Sequence, residues 1–291
     1  MVLLGGILYG TMSSFVKLSY AKGYTAAELS FAQAGLAAIF LSVIFLCSYK
    51  RNNEQKISFK KLTPLLLIGG TIGLTNFFYY LSVSYISASL AIVILMQFTW
   101  ISILLEWIIF KKRPTKLEFL TVAVILVGTA LASDLVNMQE LNFSIKGLLL
   151  VLLASLTYAI YIIANGHTGQ HVSWQAKSSL IMLGSAITIF TINANTIIFE
   201  NHFSLDFLYT ALFLAVIGTT IPTALFAAGI PKVGAGISAI LMTIELPVAV
   251  ICASVVLNES LSLTQILGIV LMLGAIAYMN YYKSRKSIKT T

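Results

Sequence analysis

Ten runs of mainly apolar residues, each close to twenty long, succeed one another along this chain of 291 residues. They cover roughly 2–20, 26–48, 62–84, 89–110, 116–133, 145–164, 176–197, 207–229, 235–256 and 262–282. A helix of about 20 apolar residues spans the hydrocarbon of a bilayer. Strands of a membrane barrel would alternate apolar and polar residues, and runs such as LLLIGG (65–70) do not. Charged residues make up 10% of the chain, against about 25% in a typical soluble domain. The sequence therefore predicts an all-α integral membrane protein with ten transmembrane helices. The first run starts at Val2 without a basic leader or a small-residue cleavage site, and is expected to be a membrane helix, not a removed signal peptide.

Basic residues set the orientation. Ten spans bring both ends of the chain to one side, and the tail carries Lys283, Arg285, Lys286 and Lys289. The positive-inside rule puts that side in the cytoplasm. Alternate loops agree: 15 of the 18 Lys and Arg residues fall on the tail's side, among them Lys111, Lys112, Arg113, Lys177 and Lys232. Asp134, Glu140, Glu200, Asp206 and Glu259 fall on the other side. The pI of 9.4 thus reports topology and gives no reason to expect a nucleic-acid partner. The expected location is a cell (cytoplasmic or inner) membrane.

The chain also repeats itself. At a shift of 146 residues VILMQFTWIS (93–102) lies on AILMTIELPV (239–248), Gly128 meets Gly274, Asn76 meets Pro222, and Tyr80 meets Phe226. A repeat of five spans must enter the membrane in opposite orientations. The expected organisation is therefore two inverted five-helix repeats, residues 1–133 and 134–291. Inverted repeats are a common architecture of secondary transporters, with the substrate near the midplane between the halves.

Four segments carry a family resemblance: YGTMSSFVK (9–17), the pair GGTIGLTNFFYYLSVSYISASLA (69–91) and VIGTTIPTALFAAGIPKVGAGIS (216–238), and ELPVAVICASVVLNESLSLTQILG (245–268). With these the chain resembles EamA-type permeases of the drug/metabolite transporter superfamily over nearly its full length. Two features depart from the pattern. FKKRPTKLE (110–118) replaces the usual turn of the first half, and Gln33 stands where relatives often carry arginine. The resemblance implies ten helices around a central cavity and movement of amino acids or related metabolites, often outward.

Glu245 is the first candidate for the work, because it lies about ten residues into its span, near the bilayer centre. An acid there costs roughly 2.5–3.5 kcal/mol on insertion scales, so it should face the interior of the bundle. Its helical face, Ala235, Ser238, Met242, Ala249 and Cys252, is small and partly polar. Pro247 has no N–H to give the Thr243 carbonyl, so a free acceptor beside the carboxyl is expected. Two readings stand: Glu245 lines the path and couples protons, or a neutral Glu245 glues two helices together.

Other polar residues share faces with neighbouring spans. The third span offers Asn76 and Tyr80, the eighth Thr219 and Pro222, the first Ser13 and Lys17, the sixth Tyr158 and Tyr161. The tyrosines fit either a wall for an organic solute or a membrane-interface belt. Gly6-x-x-x-Gly10 and Gly69-x-x-x-Gly73 are expected to serve close helix packing. Lys17 is the basic residue well inside a span, and meets either the path or Glu28. Thr25-x-x-Glu28 reads as a capping box. Thr99 is the repeat partner of Glu245, Glu106 is placed to pair with the Lys111–Arg113 cluster, and Glu259 suits the start of a helix.

Enzyme readings are weak. No aspartate lies within a span, the three histidines sit in loops, and no phosphate-binding G-x-x-x-x-G-K-[ST] motif occurs. Cys47 and Cys252 have no metal-ligand spacing, and no cofactor is expected. The leading expectation is a secondary exporter of amino acids or similar metabolites working by alternating access, with lipid, the small solute and protons as its partners. A passive facilitator and a multidrug efflux permease are the alternatives.

Overall fold

The computed structural model of the chain describes residues 1–52, 59–86, 88–132, 144–257 and 261–288. The expectations for Asp134, Glu140, Glu259 and Lys289 lie outside those residues. Every regular element described is helical. In chain order the helices are α1 (Val2–Ala21), α2 (Ala26–Ser48), α3 (Leu62–Val83), α4 (Leu90–Phe110), α5 (Lys116–Ala132), α6 (Ile145–His167), α7 (Trp174–Phe199), α8 (Leu205–Val233), α9 (Ala235–Val256) and α10 (Leu263–Tyr282). All but α5 are long and apolar enough to cross a membrane, and α5 has 17 residues.

Burial runs opposite to that of a water-soluble domain. Leu67, Phe119, Ile187 and Phe199 are exposed, while Gln33, Asn76, Ser155 and Glu245 are buried. Lipid requires this, because it solvates apolar side chains and leaves polar groups to partner one another inside the bundle. The described helices form a membrane-embedded bundle.

Three helices are interrupted near mid-span. α1 breaks at Thr11, whose hydroxyl and N–H both turn back to the Leu8 carbonyl, at 2.7 and 3.3 Å. α4 breaks at Met96–Gln97 and α9 at Thr243–Ile244, within one residue of the 146-residue shift between the repeats. No proline causes the α4 break. There the Thr99 hydroxyl donates to the Met96 carbonyl at 2.9 Å, and the Gln97 amide to the Val93 carbonyl at 3.4 Å. In α8 a wide turn, Val216–Thr220, precedes Pro222. Proline withholds an N–H, and the Thr219 hydroxyl reaches back to the Leu214 carbonyl at 3.0 Å.

The bundle is tightest where backbones meet without side chains between them. A Cβ on Gly69 of α3 would stand 2.0 Å from the Ile181 carbonyl oxygen of α7, and one on Gly184 would stand 2.1 Å from the Leu66 carbonyl oxygen. α5 and α10 cross in the same way, with Gly268 against Gly128. α1 packs against α8 and both parts of α9, and a Cβ on Gly10 would stand 2.5 Å from the Glu245 carbonyl oxygen. The glycine pairs of α1 and α3 therefore sit at helix contacts, as their spacing predicts.

Candidate functional site

The site is built around the break in α9. Glu245 opens the second part of that helix and is buried. The break itself corrects one expectation. The Thr243 carbonyl is not free, because the Leu246 N–H donates to it at 3.2 Å in a tightened turn. Pro247 falls in the first turn of the new helix segment, where an N–H would have no intrahelical partner anyway. Proline thus begins the next helical segment while the Thr243 carbonyl stays paired.

Opposite Glu245 stands α6. The Tyr158 hydroxyl donates to Glu245 Oε1 at 2.6 Å, and both groups are buried. Among the described residues no other donor reaches this carboxyl. The Tyr158 ring stacks on Tyr9 of α1 at 6.0 Å between centroids and on Tyr161 at 6.2 Å, with Phe98 of α4 at 4.6 Å. Tyr9 in turn donates its hydroxyl to the Asn76 side-chain oxygen on α3. On the far side of Asn76, Tyr80 donates to Gln33 of α2 at 3.0 Å, and Tyr20 donates to the Tyr80 carbonyl at 2.7 Å. Aromatic rings and polar tips thus link α1, α2, α3, α4, α6 and α9 through the centre of the bundle.

A small cavity of about 30 Å³ opens among these side chains, lined by Tyr9, Ser13, Asn76, Tyr79, Tyr80 and Glu245, with Ile92 and Leu95 of α4. That is the share of liquid volume of about one water molecule, so an organic solute enters only when the core widens. Tyr79 is buried against the cavity, and its hydroxyl has no partner among the described residues.

Of the residues singled out from the sequence, the structure gathers Glu245, Asn76, Tyr80 and Ser13 around the cavity and joins Tyr158 to Glu245. It leaves the others elsewhere. Thr99 spends its hydroxyl on closing the α4 break. Pro222 is buried in α8 but does not line the cavity, and Lys17 is exposed and away from it. Glu28 forms the expected capping box, accepting from Thr25 N–H at 2.8 Å and from its hydroxyl at 2.7 Å, and also accepts from the His202 N–H. Glu106 pairs with Lys112 at 3.0 Å as expected, and in addition accepts the Gly236 N–H at the start of α9, also at 3.0 Å.

Sequence reasoning missed Tyr9, although it sits one helical turn before Ser13 and shares its face. It also missed Lys177, which is buried and donates to the Asn165 carbonyl at 2.5 Å. A lysine at a loop edge gives no sequence signal that its amine turns inward to a helix end.

Comparison with known proteins agrees with this architecture. The model of the EamA-like transporter family matches residues 1–134 and again 145–281. An uncharacterized transporter of Synechocystis sp. is 26% identical over 217 residues, which is 70% of this chain. The chain spans 62% of the length of that relative. A solved crystal structure at 13% identity superposes with a TM-score of 0.73 and 96% coverage of both chains, a likeness of fold. The two family matches together take in nearly every residue described above, and the chain belongs to the EamA-like transporter family of the drug/metabolite transporter superfamily.

Proposed function

We propose that the chain is a secondary carrier of a cell membrane that exports amino acids or related small metabolites by alternating access, without enzymatic activity of its own. Ten transmembrane helices form two inverted repeats, residues 1–133 and 134–291, with both termini in the cytoplasm. The paired breaks in α4 and α9 and the two-part family match support that division. The observation that carries the reading is the buried Glu245–Tyr158 pair beside a cavity at a helix break. Unwound backbone and an ionisable group at membrane depth are tolerated where they line a path. A core that leaves room for about one water counts against a passive pore.

Glu245 is the coupling group in this carrier: it takes a proton in one state and gives it up in another. Glu245→Gln keeps the shape and the bond to Tyr158 but cannot titrate. In reconstituted vesicles the variant should exchange solute for solute yet fail to accumulate it under an imposed proton gradient. Accumulation at the wild-type rate, with the wild-type pH dependence, removes the coupling role. Absence of accelerated exchange from the opposite side in the wild-type protein removes the carrier.

A further inference from the structure

We infer that the solute carried past Glu245 is a monovalent organic cation, an amine with an apolar or aromatic body, and not a solute whose recognition depends on a carboxylate. The inference rests on the reading of the Tyr9–Glu245 cavity as the transport path.

Its basis is the charge inventory of the cavity wall. One acid, three tyrosines, one amide, one serine and one threonine line it together with apolar groups, and no lysine, arginine or histidine is among the lining residues. A carboxylate leaving water needs a cation or a cluster of N–H donors. Helix breaks are the usual source of such donors in transporters, and here several of them are already paired. In α9 the Ile244 N–H goes to the Leu241 carbonyl at 3.4 Å, the Leu246 N–H to Thr243, and Pro247 has none. In α4 the Gln97 and Thr99 N–H groups go to Ile94 and Met96, each at 3.1 Å. The buried amine of Lys177 lies roughly two turns of α6 beyond Tyr158, and is committed to the Asn165 carbonyl. Among the lining residues a zwitterion finds an anionic partner for its ammonium and no cationic partner for its carboxylate.

An ammonium finds several partners. Tyr158 occupies Glu245 Oε1, and no donor reaches Oε2 of this cavity-lining acid among the described residues. Tyr9, Tyr79 and Tyr80 bring three aromatic rings to the wall, and rings offer cation–π contacts that strengthen away from water. The Tyr79 hydroxyl, buried and without a partner among the described residues, is a further acceptor on a residue of the same wall. A single acid compensates a single positive charge, so dications are disfavoured. The apolar groups that complete the wall, Ile92 and Leu95, suit a hydrocarbon body.

The test uses matched solutes that differ by one carboxylate. Calorimetric titration of the detergent-purified full chain compares phenethylammonium, its N-trimethyl analogue and phenylalanine. Counterflow in proteoliposomes uses the N-trimethyl analogue, whose fixed charge keeps it from crossing lipid unaided. Both cations should bind and the analogue should show counterflow, while phenylalanine binds roughly a hundredfold more weakly, as expected when a buried polar group is left unpaired. Glu245→Gln, which keeps an acceptor but loses the charge, should weaken binding of the cations roughly tenfold, leaving exchange at raised solute concentration. If that variant fails to purify, the solute comparison on unmodified protein decides the matter. Phenylalanine binding as tightly as the cations, or cation binding indifferent to Glu245→Gln, overturns the inference. Counterflow of amino acids without counterflow of the cation overturns it and leaves the carrier standing. Counterflow of neither, across a panel of amino acids and cations, removes both.

Discussion

The crossing of α3 and α7 gives the most severe constraint on any single side chain. Gly69→Ala adds a Cβ that would stand 2.0 Å from the Ile181 carbonyl oxygen and 2.8 Å from the Ser185 nitrogen. Ordinary contact begins near 3.4 Å, so the helices must part by the difference, roughly 1.4 Å. The obstacle is backbone on both sides, and no rotamer change relieves it. Overpacking typically costs about 1–3 kcal/mol, and a rigid obstacle puts this site at the upper end. The better helix propensity of alanine returns up to about 1 kcal/mol. A net loss of about 2 kcal/mol corresponds to a melting temperature lower by roughly 4–8 °C, on the scale of about 2–4 °C per kcal/mol for domains of this size class. Gly35→Ala is the control, since nothing lies within 4 Å of a Cβ there. Thermal unfolding of purified protein in one detergent should lower Gly69→Ala and leave Gly35→Ala level or slightly raised. Gly184→Ala, which meets Leu66 across the same crossing, should add less than its own cost to Gly69→Ala, because one opening accommodates both. Melting of Gly69→Ala within a degree of wild type refutes the close crossing.

Two further perturbations test orientation and the Lys112 end of the bundle. In a background lacking Cys47 and Cys252, a cysteine at Asn201 should react with an impermeant thiol reagent outside intact cells, and cysteines at Asn53 or Thr290 should not; labelling at Asn53 reverses the proposed topology. Glu106→Gln keeps an acceptor for the Gly236 N–H and loses the charge that faces the half-exposed Lys112 at 3.0 Å and His167 at 3.9 Å, the Lys112 pair being worth about 0–1 kcal/mol. Glu106→Ala also uncaps α9 and should cost about 1 kcal/mol more, in the range of lost helix caps; equal melting of the two variants would show that the cap contributes nothing.

What the sequence made legible follows from how strongly each signal is tied to a single physical cause. The helices were readable because lipid requires long apolar runs, and most of their ends fell within a turn of expectation; α6 and α8 run a few residues further, to His167 and Val233, and the last helix continues to Ile288, because a helix need not stop where the apolar stretch does. Glu245 was readable because an acid at membrane depth has few permitted surroundings. The path around it was only partly so. Asn76, Tyr80 and Ser13 reach the cavity, but Lys17 does not, since helix phase does not fix which face meets which neighbour. The α4 break was invisible: it rests on the side chains of Gln97 and Thr99 turning to their own backbone, which no proline announces. The role of Pro247 was misread for a related reason. A missing N–H predicts an orphan carbonyl only if the helix stays regular, and here it tightens instead.

The two glycine crossings bear on how a bundle this dense is able to move. Both join a helix of the first half to one of the second, α3 to α7 and α5 to α10. Backbones in contact resist sliding, because ridges of side chains would have to pass over one another, yet they turn about the contact with little change in packing. In the proposed carrier such crossings would serve as pivots for relative rotation of the halves, the motion that alternating access requires. The helices that must bend as this happens are those between the pivots. α4 and α9 are interrupted at Met96–Gln97 and Thr243–Ile244, where the ladder of backbone bonds is already broken and little further hydrogen bonding is lost on flexing. Glu245 begins the segment just beyond the α9 break. Under the proposed coupling, a change in what its carboxyl binds, from Tyr158 and a proton to a cation, is applied where the ladder of backbone bonds is already broken.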